Sequence, residues 1–268
     1  MSVTVSAINI FPIKGCRGYS LEAADVSTQG ISGDRVFTVL LDGHRTNQKK
    51  IPQLRELSAI WQGSDLRLAY PGQEEFILDA NETNGARLTE SFRTKELPIG
   101  DMGEEVAGWL SAALGSSVRL AKLAEPVPWF FPLPEFSLVH EQPQDRFVDA
   151  APVLLANMNS LADLNARLET PITMDRFRAN LVVEGLDPYQ EDELPVFRFP
   201  ELELQRVAVC ERCTITTVDT ETGVMGKEPL NTLSKYRKRK DDYAGGIMFG
   251  IYLTGGKGRV SVGDELGV

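Results

Sequence analysis

The chain has 268 residues, 42% of them hydrophobic and 25% charged, with a formal net charge of −10 and three cysteines. That length supplies a large core, as one big domain or two interlocked ones, and the charge argues against general binding to nucleic acid or to an anionic membrane surface. No apolar run approaches the roughly 20 residues that cross a bilayer, and the low, odd cysteine count argues against a disulfide framework and suits a reducing, cytoplasmic compartment.

The chain opens on Val3–Ile10, whose alternation predicts a strand; the basic region, apolar core and small-residue cleavage site of a signal peptide are missing. Pro12, Gly15 and Gly18 then break the pattern into a loop carrying Lys14 and Arg17. "SGDR" leads into a strand over Val36–Leu41, with Asp42-Gly43 as the turn of a hairpin. A second hairpin is expected from Leu66–Tyr70 and Glu75–Asp79 around Pro71-Gly72, a helix over Met102–Leu114 with acids in its first turn, and a strand over Val118–Leu123. The proline-rich "EPVPWFFPLP" (Glu125–Pro134) is too poor in amide donors for a sheet interior and reads as a connector, dividing the chain into residues 1–124 and 125–268. Beyond it come a helix over Ser160–Leu168 with Ser160 as N-cap, strands over Asn180–Glu184, Glu201–Val209 and Thr214–Val218, a helix from Pro229 to Arg237, and closing strands over Phe249–Thr254 and Arg259–Val262. Many short strands with few helices predict a β-rich α+β protein with barrel-like domains rather than a doubly wound α/β fold.

The chemistry-bearing stretch is "CERCTITTVDTETG", Cys210 to Gly223. A structural zinc site needs four soft ligands, yet only Cys16, His44 and His140 remain outside this stretch and none forms a second pair. A redox dithiol sits at a helix N-terminus, whereas "TITTV" prefers a strand. Two packed structural thiols are the plain alternative.

The surrounding residues add a resemblance. "CxRCxxTxVDxxTG" is similar to the signature of the MOSC-domain family (molybdenum-cofactor sulfurase C-terminal domain), in its amidoxime-reducing branch. "FPIKGCRG" (Phe11–Gly18), "GDR" (Gly33–Arg35), "DAAPVLLANMNSLADLN" (Asp149–Asn165), "FRANLVVEG" (Phe177–Gly185), "KEPLNTLSKYR" (Lys227–Arg237), "FGIYL" (Phe249–Leu253) and "VGDEL" (Val262–Leu266) follow the family's order. The resemblance implies an N-terminal β-barrel domain (1–124) followed by a MOSC domain (125–268).

It also implies a molybdenum cofactor, with Cys213 as the thiolate ligand of the metal, a soft donor beside the dithiolene sulfurs of molybdopterin. Lys14, Arg35 and Arg178 match cofactor-contacting cations suited to a phosphate, and Asn180, Arg212 and Tyr252 match further contacts. Gly15, Ala150 and Ala151 stand at contact positions where relatives carry hydroxyl or other polar side chains, and Ala179 and Glu211 also depart from the family pattern. Asp149 matches an aspartate beside the metal and is the expected proton carrier. The implied reaction is a two-electron reduction of N-hydroxylated compounds. Its rivals are a carrier that passes on the cofactor or its sulfur (MOSC domains also occur fused to pyridoxal-phosphate-dependent sulfurases) and an interaction module without metal. Three cysteines are one short of a [2Fe–2S] site and no GxGxxG fingerprint is present. Electrons are therefore expected from a separate ferredoxin-like or flavin protein, with "KYRKRK" (Lys235–Lys240) as a candidate docking run and no nucleic-acid or membrane partner.

Overall fold

Burial along Val3–Ile10 alternates and then slips at Ser6 and Ala7. There the antiparallel pairing with Leu181–Glu184 carries a bulge between Val5 and Ala7, so both ends of the strand still turn their apolar side chains inward. This strand lies inside the largest sheet of the computed structural model, which describes residues 2–81, 83, 87–92, 95–128, 131, 133–239 and 246–267. The sheet runs in the order Val196–Phe199, Leu202–Glu211, Met248–Gly255, Val153–Asn157, Leu181–Glu184, Val3–Ile10 and Glu265–Leu266, with Tyr19–Leu21 also paired to Val3–Ile10. A second sheet orders Arg87–Phe92, Lys95–Asp101, Val118–Leu123, Phe37–Leu41 and Ile13–Lys14, with His44–Arg45 on Phe37–Leu41. The expected hairpin around Pro71-Gly72 forms from Asp65–Ala69 and Phe76–Asp79 and adds Ser58–Gln62. The protein is strand-rich α+β, and no sheet closes into a barrel among the described residues.

Pairing crosses the division expected at residue 124. Val3–Ile10 and Ala23–Ser27 pair with Leu181–Glu184 and Gly258–Ser261, and Val5, Ile8 and Val26 share one core with Leu155, Phe197 and Leu253. A second core gathers Phe37, Leu54, Leu66, Leu110 and Leu120. Strands within the first thirty residues thus pair with segments from beyond the expected division.

Local chemistry explains most element ends. Asp42 and Gly43 both take positive φ, 53° and 77°, the geometry of a tight hairpin turn. The helix Glu104–Leu114 has Glu104 and Glu105 in its first turn and stops at Gly115 in the left-handed region. Three expectations are corrected. The helix expected from Ser160 begins at Met158 and is capped by Asn157, whose side chain accepts from Asn159 N at 3.0 Å. Thr214–Thr217 is one turn of 3-10 helix rather than a strand. The helix after Pro229 is only Leu230–Leu233. In the connector Val127–Pro128 pairs with Pro143–Gln144, while Trp129, Phe130 and Pro132 lie outside the described residues, as does Lys240 of the basic run. Among the described residues no helix is long and apolar enough to cross a membrane.

Ser160, displaced from its expected cap, donates instead to Glu191 Oε1 at 2.7 Å, and Asn157 Nδ2 donates to Glu191 Oε2 at 3.0 Å. Burial raises the Glu191 pKa above 4.5 despite these donors. The native state then binds a proton more tightly than the unfolded chain. Stability from this group is complete below its unfolded pKa and is lost as pH rises through the folded one. Glu191→Gln is expected to flatten the fall in stability as pH rises above about 4.5, measured by denaturant melts across a pH series.

Candidate functional site

A cavity of about 270 Å³ opens where the Lys14 loop, the Asp149–Ala151 bend, the Phe177–Asn180 turn and the Arg212–Thr216 turn converge. Lys14, Gly15, Arg35, Asp149, Ala151, Arg178, Asn180, Arg212, Cys213 and Tyr252 all line it. Ala150 does not. It packs with Phe136, Val139 and Val207, while its neighbours on either side face the cavity.

Each cation is held by backbone or by an acid behind the wall. Ile13–Lys14 runs parallel to Phe37–Leu41, and Gln48 Nε2 donates to Gly15 O at 2.8 Å, fixing the loop that follows. Lys14 Nζ donates to Phe147 O at 2.8 Å and to Asp149 Oδ1 at 2.5 Å. Arg35 pairs with the buried Asp34, whose other oxygen accepts from Phe11 N at 2.8 Å. Its guanidinium also donates to Asn180 Oδ1 at 3.0 Å and Arg178 O at 3.2 Å. Arg178 sits at the C-cap of the 3-10 turn Met174–Phe177 with φ 54°, before the strand begins at Leu181. It donates to Cys16 O at 2.7 Å and lies 4.1 Å from the Phe11 ring centre, which Arg35 approaches at 5.0 Å. Arg212 donates to Phe177 O at 2.5 Å and to Cys210 Sγ at 3.0 Å.

Two guanidinium nitrogens remain without a partner although buried, Arg178 Nη2 and Arg212 Nε, and the buried Thr46 hydroxyl on the same wall is also unsatisfied. Buried donors of this kind are costly unless something accepts from them. Burial, then the nearby Arg35 charge, lowers the Arg178 pKa to about 10. Burial also lowers Lys14. For Asp149 desolvation by the cavity walls pushes upward but is outweighed by the Lys14 ammonium beside it, with Arg35 and Arg212 adding to the pull, so the carboxyl is held well below the usual range. In this arrangement Asp149 is an ionised acceptor rather than a ready proton donor.

Asn180 has no polar atom left over. Its Oδ1 also accepts from Leu154 N at 3.2 Å, and its Nδ2 donates to Asn9 O at 3.1 Å, so it braces the wall and holds Arg35. The three thiols differ. Cys16 is buried, with its pKa pushed up to about 12 by burial. Cys210 is buried against Arg212, and Cys213 is exposed on the cavity wall. Among the described residues no group of three or more His, Cys, Asp or Glu is placed to hold a metal ion. Sequence reasoning missed Thr46, Asn47, Gln48 and Lys49, the tail of the first hairpin, and Arg176. A polar run after a turn carries no signal for them, because chain crossing alone brings them here.

Among solved structures, the YUAD protein from Bacillus subtilis aligns with a TM-score of 0.42 at 11% identity, covering 99% of this chain and 94% of that one. The model of the MOSC N-terminal beta barrel domain matches residues 2–117, and that of the MOSC domain matches residues 142–267. The chain is 34% identical to mitochondrial amidoxime reducing component 2 of Bos taurus, with 98% of this chain and 82% of that protein aligned. It is 33% identical, at the same coverage, to mitochondrial amidoxime-reducing component 1 of Homo sapiens. Across both of its halves, then, the chain belongs to the MOSC-domain family, together with the amidoxime-reducing components.

Proposed function

We propose that this protein binds the molybdenum cofactor in the cationic cavity and reduces N-hydroxylated compounds such as amidoximes and hydroxylamines. The observation that carries the reading is the meeting of Lys14, Arg35, Arg178 and Arg212 around unpartnered guanidinium nitrogens, beside an exposed thiol, in a chain of net charge −10. A phosphate-bearing anion satisfies those donors, and the residues present fit the group. Arg178 and Arg212 offer planar forks to phosphate oxygens or the pterin edge, Lys14 a compact charge. Cys213 offers a thiolate, and Asn180 keeps Arg35 aimed. When bound, the group supplies a metal centre able to accept an oxygen atom from an N–O bond as two electrons are delivered. The polypeptide binds and orients the substrate at the open side of Cys213. While paired with Lys14, Asp149 is held ionised and acts as an acceptor rather than a proton donor.

Electrons come from a separate ferredoxin-like or flavin protein. Within the candidate docking run, Arg237 is paired with Asp192 and Arg239 with Glu135 at 3.2 Å, which leaves Lys235 and Lys238 as its exposed cations among the described residues. Two such charges give weak, salt-sensitive docking. The three free thiols suit a reducing compartment such as the cytoplasm.

The test is elemental and pterin-fluorescence analysis of protein from a cofactor-producing host, followed by turnover of an amidoxime with a reconstituted donor across a salt series. About one molybdenum and one pterin per chain with donor-dependent turnover is expected. A chain that carries neither overturns the reading, and one that carries both but turns nothing over is a cofactor carrier.

A further inference from the structure

Two carboxylates pair with cations of the cluster, Asp34 with Arg35 and Asp149 with Lys14, and they are built differently. Asp34 is 1% exposed in its side chain, and both its oxygens are engaged, one by Arg35 and the other by Phe11 N. Asp149 is 67% exposed in its side chain, and among the described residues its one side-chain hydrogen bond is to Lys14. It stands in a bend between Val148 and Ala150, both buried in an apolar cluster that anchors the backbone while the carboxylate projects into the cavity. Asp34 is a fixed brace, and Asp149 is free to swing away.

From this contrast we infer that Asp149 is a resident counter-anion that competes with a phosphate-bearing ligand for the Lys14 ammonium. A phosphate oxygen placed on Lys14 Nζ meets a carboxylate oxygen already there at 2.5 Å. Two anions on one ammonium repel each other strongly away from bulk water. Entry of the ligand therefore turns Asp149 outward, and its departure lets the carboxylate return and quench the charge. Lys14 also keeps Phe147 O as a second acceptor, so its ammonium stays in place during the exchange. Asp149 is on this account a positioning residue that sets the affinity and release of the ligand. The inference rests on the cavity being an anion site and departs from the expectation that Asp149 is the proton carrier.

The exchange is tested by titrating the full chain, purified from a host that does not make the cofactor, with inorganic phosphate and with phenyl phosphate in a calorimeter. Wild type, Asp149→Asn, Lys14→Met and the double variant are compared after circular dichroism confirms that each is folded. Asp149→Asn is expected to bind both probes about tenfold tighter, the order of one like-charge contact relieved. Lys14→Met is expected to bind them more weakly, and the benefit of Asp149→Asn is expected to shrink in the Lys14→Met background because the two side chains act through one contact. Unchanged or weaker binding by Asp149→Asn, while the wild type binds phosphate, overturns the counter-anion role and makes Asp149 a bystander or a direct ligand. Equal benefit in both backgrounds also overturns it, since Asp149 then acts as diffuse charge. If neither wild type nor Asp149→Asn binds either probe, the failure belongs to the anion-site reading itself.

Discussion

Cys213→Ala is expected to lose molybdenum and to drop turnover to background while leaving the fold unchanged. The thiol is exposed, and its backbone rather than its side chain caps the following turn, with Cys213 O accepting from Thr216 N at 3.2 Å and Thr216 Oγ1 at 2.9 Å. A surface change of this kind moves stability by only about 0.5 kcal/mol. Cys213→Ser, a harder oxygen donor, should retain metal poorly. Cys210→Ala separates the two thiols of the signature. Cys210 is buried and holds Arg212 through its Sγ. Its loss is therefore expected to cost about 1–2 kcal/mol of stability and to loosen cofactor retention by misplacing Arg212, while molybdenum still enters. Metal analysis, thermal melts and turnover on the three variants check this together. Equal loss of metal from Cys213→Ala and Cys210→Ala, with zinc in the wild type, would defeat the assignment of Cys213 as the sole thiolate ligand.

What could be read in advance depended on whether a signal was local. Val3–Ile10 and Val118–Leu123 match their expected bounds because alternation against a core is written in the chain itself. Thr214–Val218 was misread for an instructive reason. Its β-branched residues favour a strand, yet Thr216 Oγ1 and Thr217 Oγ1 donate to the carbonyls three residues back, and those local bonds wind the segment into a 3-10 turn that presents Cys213 at its start. Ser160 was misplaced as a cap because its attraction to Glu191 is long-range. The interleaving of Val3–Ile10 into the far sheet is likewise a non-local pairing with no sequence mark. For the site, spacing around the cysteines left several chemistries open, and family resemblance was needed to pick out Lys14, Arg35 and Arg178. Even then the supporting groups, Asp34 behind Arg35 and Gln48 behind Gly15, became visible only from contacts.

Arg178 provides a test in which stability and binding move in different directions. It is half-buried and takes part in no ion pair among the described residues; Nη1 is bonded to Cys16 O, the buried Nη2 has no partner, and Arg35 shares its aromatic platform. Burial first, and Arg35 second, lowers its pKa from 12.5 to about 10. A cation whose folded pKa is depressed destabilises the folded state at all pH values below that pKa, and the penalty fades as pH rises from about 10 towards 12.5. Arg178→Gln removes the charge and leaves an amide donor for Cys16 O, so the cofactor-free protein is expected to be as stable as wild type or up to about 2 kcal/mol more so at pH 7. The loaded protein should suffer. Two charge-assisted hydrogen bonds at roughly 1.5–3 kcal/mol each are forfeited, enough to weaken cofactor retention by about 100-fold or more. Arg178→Lys, which keeps the charge but not the fork, should fall between. Denaturant melts of cofactor-free protein give the first quantity, and the rate of pterin release followed by fluorescence gives the second. A Gln variant that loses more than about 2 kcal/mol yet holds the pterin as long as wild type does would make Arg178 a structural arginine and remove it from the anion site.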